Sequence, residues 1–164
     1  SEFYFSKTSI VQNCIHEFKY KGNIKLGLYL GRMLGKSILS SNRFENIDFL
    51  IPLPLFTKKE FKRGFNQSAI LCKGINEITN IPVLVDNVIR IKATETQTKK
   101  GRIERWENVE KSFSVTDAGT LKNKHVLLVD DFITTGATIE ACGSQILKIE
   151  GTALSIASLA FATR

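Results

Sequence analysis

Residues 126–138 read Val126-Leu127-Leu128-Val129-Asp130-Asp131-Phe132-Ile133-Thr134-Thr135-Gly136-Ala137-Thr138, and their reading decides the fold. The apolar run Val126 to Val129 is the pattern of a strand buried on both faces of a parallel sheet. Two carboxylates follow, then a Thr/Gly turn, then helical spacing from Ala137 to Ile149 that stops at Gly151. In open α/β sheets ligands bind beyond the carboxyl ends of the strands, where these residues are expected. The two halves of the stretch suit opposite charges. Thr134, Thr135 and Thr138 offer hydroxyls, while Gly136 and Ala137 bring backbone N–H groups to a helix N-terminus, an anion site suited to a phosphate dianion. Asp130 and Asp131 repel phosphate but accept from hydroxyls or hold a divalent cation. A ligand with a phosphate at one end and a vicinal diol nearby satisfies both halves, and ribose 5-phosphate has that layout.

Outward from this stretch, strands alternate with helices, the pattern of an α/β fold with a largely parallel sheet. Thr8 or Ser9 can cap a helix carrying Val11, Cys14, Ile15 and Phe18 that stops at Gly22, and Lys25 to Ser40 repeats Leu26, Leu30, Met33, Leu34 and Ile38 at helical spacing, so residues 1–43 read as a helical N-terminal part. Asp48 to Ile51 reads as a strand running into Pro52-Leu53-Pro54, followed by a basic loop and a helix from about Asn66 to Ile78. Val83 to Ile89 reads as extended, Lys92 to Gly101 as a long mobile loop, Arg102 to Val109 as helix and Ala153 to Phe161 as a last strand.

The chain has 164 residues, 23 basic against 16 acidic, for a net charge of +7; 43% are hydrophobic and 24% charged. That is ordinary for one soluble domain and excludes a wholly disordered chain. The expected division is a single domain over 1–164. Residues 1–43 carry seven basic and two acidic side chains and Lys58, Lys59, Lys62 and Arg63 cluster, whereas residues 112–164 carry four basic and five acidic. This asymmetry calls for an anionic partner, a phosphate ligand, nucleic acid or acidic protein, unless it is a solvated lysine face. Cys14, Cys72 and Cys142 form no C-x-x-C pair and read as reduced core thiols of a cytoplasmic protein. No apolar run spans a membrane. The start at Ser1 without Met reads as processed or truncated. Gly31 to Ser37 has one residue too few between its glycines for a phosphate-binding P-loop, and Gly27, Gly31 and Gly35 instead form a smooth ridge for a neighbouring helix or subunit. His16 and His125 lack partners at metal-ligand spacing and read as structural or exposed.

The stretch 126–138 resembles the phosphoribosyl-pyrophosphate (PRPP) signature of the type I phosphoribosyltransferases, paired acids at a strand end followed by a T-T/G-G-x-[ST] turn. Ile51-Pro52-Leu53-Pro54-Leu55 with Arg63-Gly64-Phe65-Asn66-Gln67 resembles the V-P-V-P-L and R-G-F-N-Q elements of ComF-type proteins, the competence-associated branch of that family. Arg90, Thr94, Gln97, Arg105, Asn108-Val109 and Phe113 match that branch's further spacing, and Tyr20-Lys21-Gly22 resembles its K-Y-x-G element.

The resemblance implies a Rossmann-like, mainly parallel sheet flanked by helices, with a flexible hood loop. It implies that Asp130 and Asp131 bind the ribose hydroxyls and, weakly or indirectly, Mg²⁺, and that Thr134, Thr135, Gly136, Ala137 and Thr138 hold the 5-phosphate. Pro52, Leu53, Pro54 and Arg63 would face pyrophosphate, and Gln97, Lys99, Lys100, Arg102 and Arg105 would close as the hood, with Arg105 beside Asp130 and Asp131 in catalysis. The implied reaction transfers the phosphoribosyl group of PRPP to an acceptor, expected to be nitrogen, with release of pyrophosphate. The alternative is a non-catalytic phosphoribosyl-ligand-binding adaptor in DNA uptake or processing, with nucleic acid as a partner. A homodimer stays open under either. Members of this branch commonly carry an upstream four-cysteine zinc module, which this sequence lacks.

Overall fold

A computed structural model of the chain describes residues 3–5, 16–19, 21–41, 43–91 and 112–162. Four strands form a parallel sheet: β1 (Phe3–Phe5), β2 (Phe49–Pro52), β5 (His125–Ile133) and β6 (Ala153–Ala162), in the order β1-β6-β5-β2. Two short strands, β3 (Val88–Arg90) and β4 (Phe113–Val115), make a separate antiparallel ribbon. The helices are α1 (Ile24–Ser40), α2 (Thr57–Arg63), α3 (Gln67–Thr79) and α4 (Ala137–Leu147), and residues 16–19 are also helical.

Strand β5 is the centre of the molecule. Val126, Leu127, Leu128 and Val129 are all 0% exposed, as a strand covered on both faces requires. Its alternation divides the core. Leu127 and Val129 pack with Phe18, Leu30, Leu34, Leu71 and Ile75 under α1 and α3, whereas Val126 and Leu128 pack with Ile51, Phe113, Ile139, Cys142 and Ile146 under α4 and the ribbon. Helices α1 and α3 approach closely through glycine: a Cβ on Gly31 would stand 2.5 Å from the Leu71 carbonyl oxygen, and one on Gly74 2.5 Å from that of Leu28. The Gly31–Ser37 segment is therefore a helix-packing face, not a phosphate loop.

Three expectations are corrected. Residues 1–43 are not wholly helical, since the chain opens on β1, which adds to the edge of β6 through backbone pairing. The segment after Pro54 is not a plain basic loop: its Lys, Glu and Arg residues are good helix formers and make α2, which ends at Gly64. It shows no apolar stripe because Phe61, its one apolar residue, is 91% exposed. Strand β5 runs four residues past Val129, so both acids lie inside it.

Candidate functional site

The turn after β5 sits where the sheet places it. Ile133 ends the strand, Thr134 and Thr135 are exposed, and Gly136 has φ +80°, a left-handed conformation that side chains rarely adopt. No atom lies within 4 Å of where its Cβ would be, so the glycine is set by backbone conformation rather than by crowding. Gly136 is the N-cap of α4, and no side chain caps that helix. The nearest substitute is a long bond from the Ala137 N–H to Thr135 Oγ1 at 3.5 Å. A helix start with its N–H groups left for an outside acceptor is chemically suited to an anion. Asp130, Phe132, Thr134, Thr135, Gly136, Ala137 and Thr138 line a depression of about 220 Å³, counting the solvent at its mouth.

The two acids are not equivalent. Alternation along β5 puts Asp130 on the face of Val126 and Leu128, toward α4, and Asp131 on the face of Leu127 and Val129, toward α1 and α3. Asp130 lines the depression. Its Oδ1 accepts from the Asp131 N–H at 2.8 Å and from Ser68 Oγ at 3.3 Å. Burial, then the neighbouring Asp131 charge, pushes its pKa up to about 7, against the opposing pull of the Asp131 N–H bond, Lys19 and Ser68. Asp131 is 7% exposed, with Lys19 Nζ 2.9 Å from its Oδ2. That oxygen takes no hydrogen bond of regular angle, so this contact is a charge pair rather than a well-aligned hydrogen bond.

On the other side of Asp130 stand the end of β2 and the start of α3. Pro52 pairs with Val129, the Leu53 N–H donates to the Val129 carbonyl at 2.8 Å, and Pro52, Leu53 and Pro54 are all buried. The Leu53 N–H is therefore spent on the sheet, and the prolines have none to offer a pyrophosphate. Asn66 caps α3 as its sequence position predicts: Oδ1 accepts from the Ser68 N–H at 3.0 Å while Nδ2 donates to the Leu53 carbonyl at 3.1 Å. Arg63 Nη1 donates to Oε1 of the buried Gln67 at 2.9 Å, so this arginine folds onto the first turn of α3. The cap, the strand exit and Ser68 thus fasten α3 to Asp130.

Lys19 and Ser68 are the functional neighbours that the sequence reading missed. Lys19 is the Lys of the K-Y-x-G pattern that continues through Tyr20-Lys21-Gly22, and Ser68 directly follows R-G-F-N-Q. The hood residues Gln97, Lys99, Lys100, Arg102 and Arg105 lie outside the described residues. His125 is structural, its Nε2 2.9 Å from Ser155 Oγ. Among the described residues no group of three or more His, Cys, Asp or Glu side chains is placed to hold a metal ion, and no helix is long and apolar enough to cross a membrane.

Residues 64–164 match the model of the phosphoribosyl transferase domain. The chain is 29% identical over 139 residues to competence protein F of Haemophilus influenzae, covering 82% of this chain and 61% of that protein. It is 26% identical over 145 residues to the DNA utilization protein YhgH of Escherichia coli K12, covering 87% and 63%. The chain thus spans about three fifths of the length of these curated relatives. Among solved structures it resembles the glutamine PRPP amidotransferase of B. subtilis, with a TM-score of 0.55 and 20% identity over 81% of this chain and 26% of the other.

Proposed function

The chain belongs to the phosphoribosyl transferase family as a ComF-type member, and on that premise we propose that it binds PRPP at the end of β5 and transfers the phosphoribosyl group to a nitrogen nucleophile. One observation carries the reading: two carboxylates at the end of a doubly buried strand lead directly into an uncapped helix start lined with threonine hydroxyls. The turn Thr134 to Thr138 holds the 5-phosphate through backbone N–H groups and hydroxyls. The acids accept from the ribose hydroxyls. Asp130 Oδ2 and Asp131 Oδ1 take no partner among the described residues, which leaves one oxygen of each for a diol.

In the reaction the nucleophile's lone pair forms the new bond at the anomeric carbon as the bond to the pyrophosphate oxygen breaks. The configuration inverts and the nucleophile's proton passes to the departing pyrophosphate or to water. Positive charge grows on the ribose and negative charge on pyrophosphate, so the acids stabilise the sugar, while the family resemblance assigns charge neutralisation at the leaving group to Arg63, Lys99, Lys100, Arg102 and Arg105. With only two carboxylates at the site among the described residues, Mg²⁺ would be held mainly by the ligand's own oxygens with Asp130 and Asp131 alongside, and would supply charge neutralisation for the leaving group.

A second reading, a non-catalytic adaptor in DNA handling that keeps the phosphoribosyl site, is favoured by the relatives' names and the +7 charge. Thermal unfolding with PRPP and Mg²⁺ tests the shared site. Ligand at about 100 times its dissociation constant adds roughly 2.7 kcal/mol, a rise of about 5–10 °C in midpoint for a chain of this size. A rise in wild type that Asp131→Asn abolishes supports the site, and no rise in wild type removes it. Pyrophosphate release with a nucleobase then favours the enzyme. Nucleic-acid binding that weakens steeply with salt, and is lost when Lys58, Lys59 and Lys62 are neutralised, favours the adaptor.

A further inference from the structure

Lys19 lies 112 positions before Asp131 in the chain, yet its ammonium is the cation that meets that carboxylate. Its side chain is 17% exposed and that of Asp131 10%, so the pair is largely withdrawn from water. The ammonium also stands 5.6 Å from the centre of the Phe132 ring, within the range of a cation–π contact. Phe132 is itself a wall of the depression beside the phosphate turn. Lys19 therefore touches the buried acid and the pocket wall together, from the short helical segment 16–19 that packs under α1 through Phe18.

A buried carboxylate without a partner is costly and turns toward whatever donor or water it can reach. Lys19 Nζ stands 2.9 Å from Oδ2, so that oxygen is turned to the ammonium and Oδ1 is the oxygen left over. Asp130 is arranged alike: its Oδ1 is held by Ser68 and the Asp131 N–H, and its Oδ2 is left over. Each acid of the pair is thus anchored by one oxygen through a residue remote in sequence, Lys19 for one and Ser68 for the other.

We propose that Lys19 is a positioning residue of the phosphoribosyl site, fixing the Asp131 carboxylate so that its second oxygen serves the sugar diol. The proposal rests on the function proposed above. It separates the two ends of the ligand, because Lys19 pairs with Asp131 at the diol end and is not among the residues lining the depression at the turn Thr134 to Thr138.

The test compares binding of ribose 5-phosphate and of inorganic phosphate, without metal, to wild type, Lys19→Met and Lys19→Arg. Lys19→Met is expected to keep its affinity for inorganic phosphate and to bind ribose 5-phosphate about tenfold more weakly, the loss of roughly one hydrogen bond to a charged group. Lys19→Arg is expected to restore most of the difference. Wild-type affinity for ribose 5-phosphate in Lys19→Met, or an equal loss for both probes, overturns the proposal. If Lys19→Met does not fold, Lys19→Gln, which keeps a neutral donor beside the intact Asp131 carboxylate, must show the same selective loss or the proposal falls. A wild type that binds ribose 5-phosphate no better than phosphate sinks the underlying function, an outcome read without any variant.

Discussion

Replacing Asp130 with Asn is expected to stabilise the ligand-free protein above neutral pH and to leave it little changed in acid. Burial, then the charge of Asp131, pushes the Asp130 pKa up from 3.8 to about 7. In the unfolded chain the group titrates near its ordinary value. Between about pH 4 and 7 the native state therefore holds a proton that the unfolded state has released, and stability falls as pH rises through that window. Above the window both states are ionised and the native state carries the whole cost. The span from 3.8 to about 7, at about 1.36 kcal/mol for each tenfold change, sets an upper bound of roughly 4 kcal/mol. Asn keeps the carbonyl oxygen that accepts from Ser68 and from the Asp131 N–H, so those bonds survive the substitution. Urea unfolding followed by circular dichroism, in buffer free of phosphate and metal, is expected to show the variant about 2–4 kcal/mol more stable at about pH 8 and within about 1 kcal/mol of wild type at about pH 4. A variant no more stable than wild type at the higher pH would refute the reasoning.

Gly74→Ala places a methyl 2.5 Å from the Leu28 carbonyl oxygen and 2.8 Å from the Gly31 Cα. Overpacking of backbone against backbone outweighs the gain of about 1 kcal/mol in helix propensity, for a net loss of about 1–3 kcal/mol by urea unfolding; unchanged stability would show that the helices part freely. Asn66→Ala removes the α3 cap and the bond to the Leu53 carbonyl together, and is expected to cost about 1–2 kcal/mol, with a loss under about 0.5 kcal/mol counting against that double role. Cys72 and Cys142 are fully buried, and burial raises both thiols, Cys142 to about 12. In a Cys14→Ser background neither should react with Ellman's reagent until the protein unfolds, and a fast thiol in the native state would contradict the packing.

What was legible in the sequence is what is contiguous. Strand, acids, turn and helix follow one another from Val126 to Leu147, and each local signal agrees with the next: a doubly apolar run, Gly136 at the one position needing positive φ, and an apolar helix face after it. Asn66 was legible as a cap for the same reason. The partners of the acids were not, because Ser68 and Lys19 come from elements remote in sequence and only the sheet order brings them to β5. Helix α2 was missed because pattern reading looks for an apolar stripe, and Phe61 faces solvent. Strand β1 was missed because three residues carry no period, and its place is set by the edge of β6. The inequality of the two acids follows from strand alternation, and it became visible only once β5 was seen to run on to Ile133.

The position of β5 between two unequal neighbours also bears on the order in which the site assembles. On one side His125 pairs with Ala153, 28 positions later; on the other Val126 pairs with Phe49, 77 positions earlier. Closing the longer loop costs about 0.9 kcal/mol more in chain entropy, and contacts at that range form more slowly. The phosphate turn is thus carried by a β-α-β unit compact in sequence, while the hydroxyl side waits for the first half of the chain to arrive. A ribosome releasing this polypeptide delivers the distant half first, so Lys19 and Ser68 have already been made when β5 emerges.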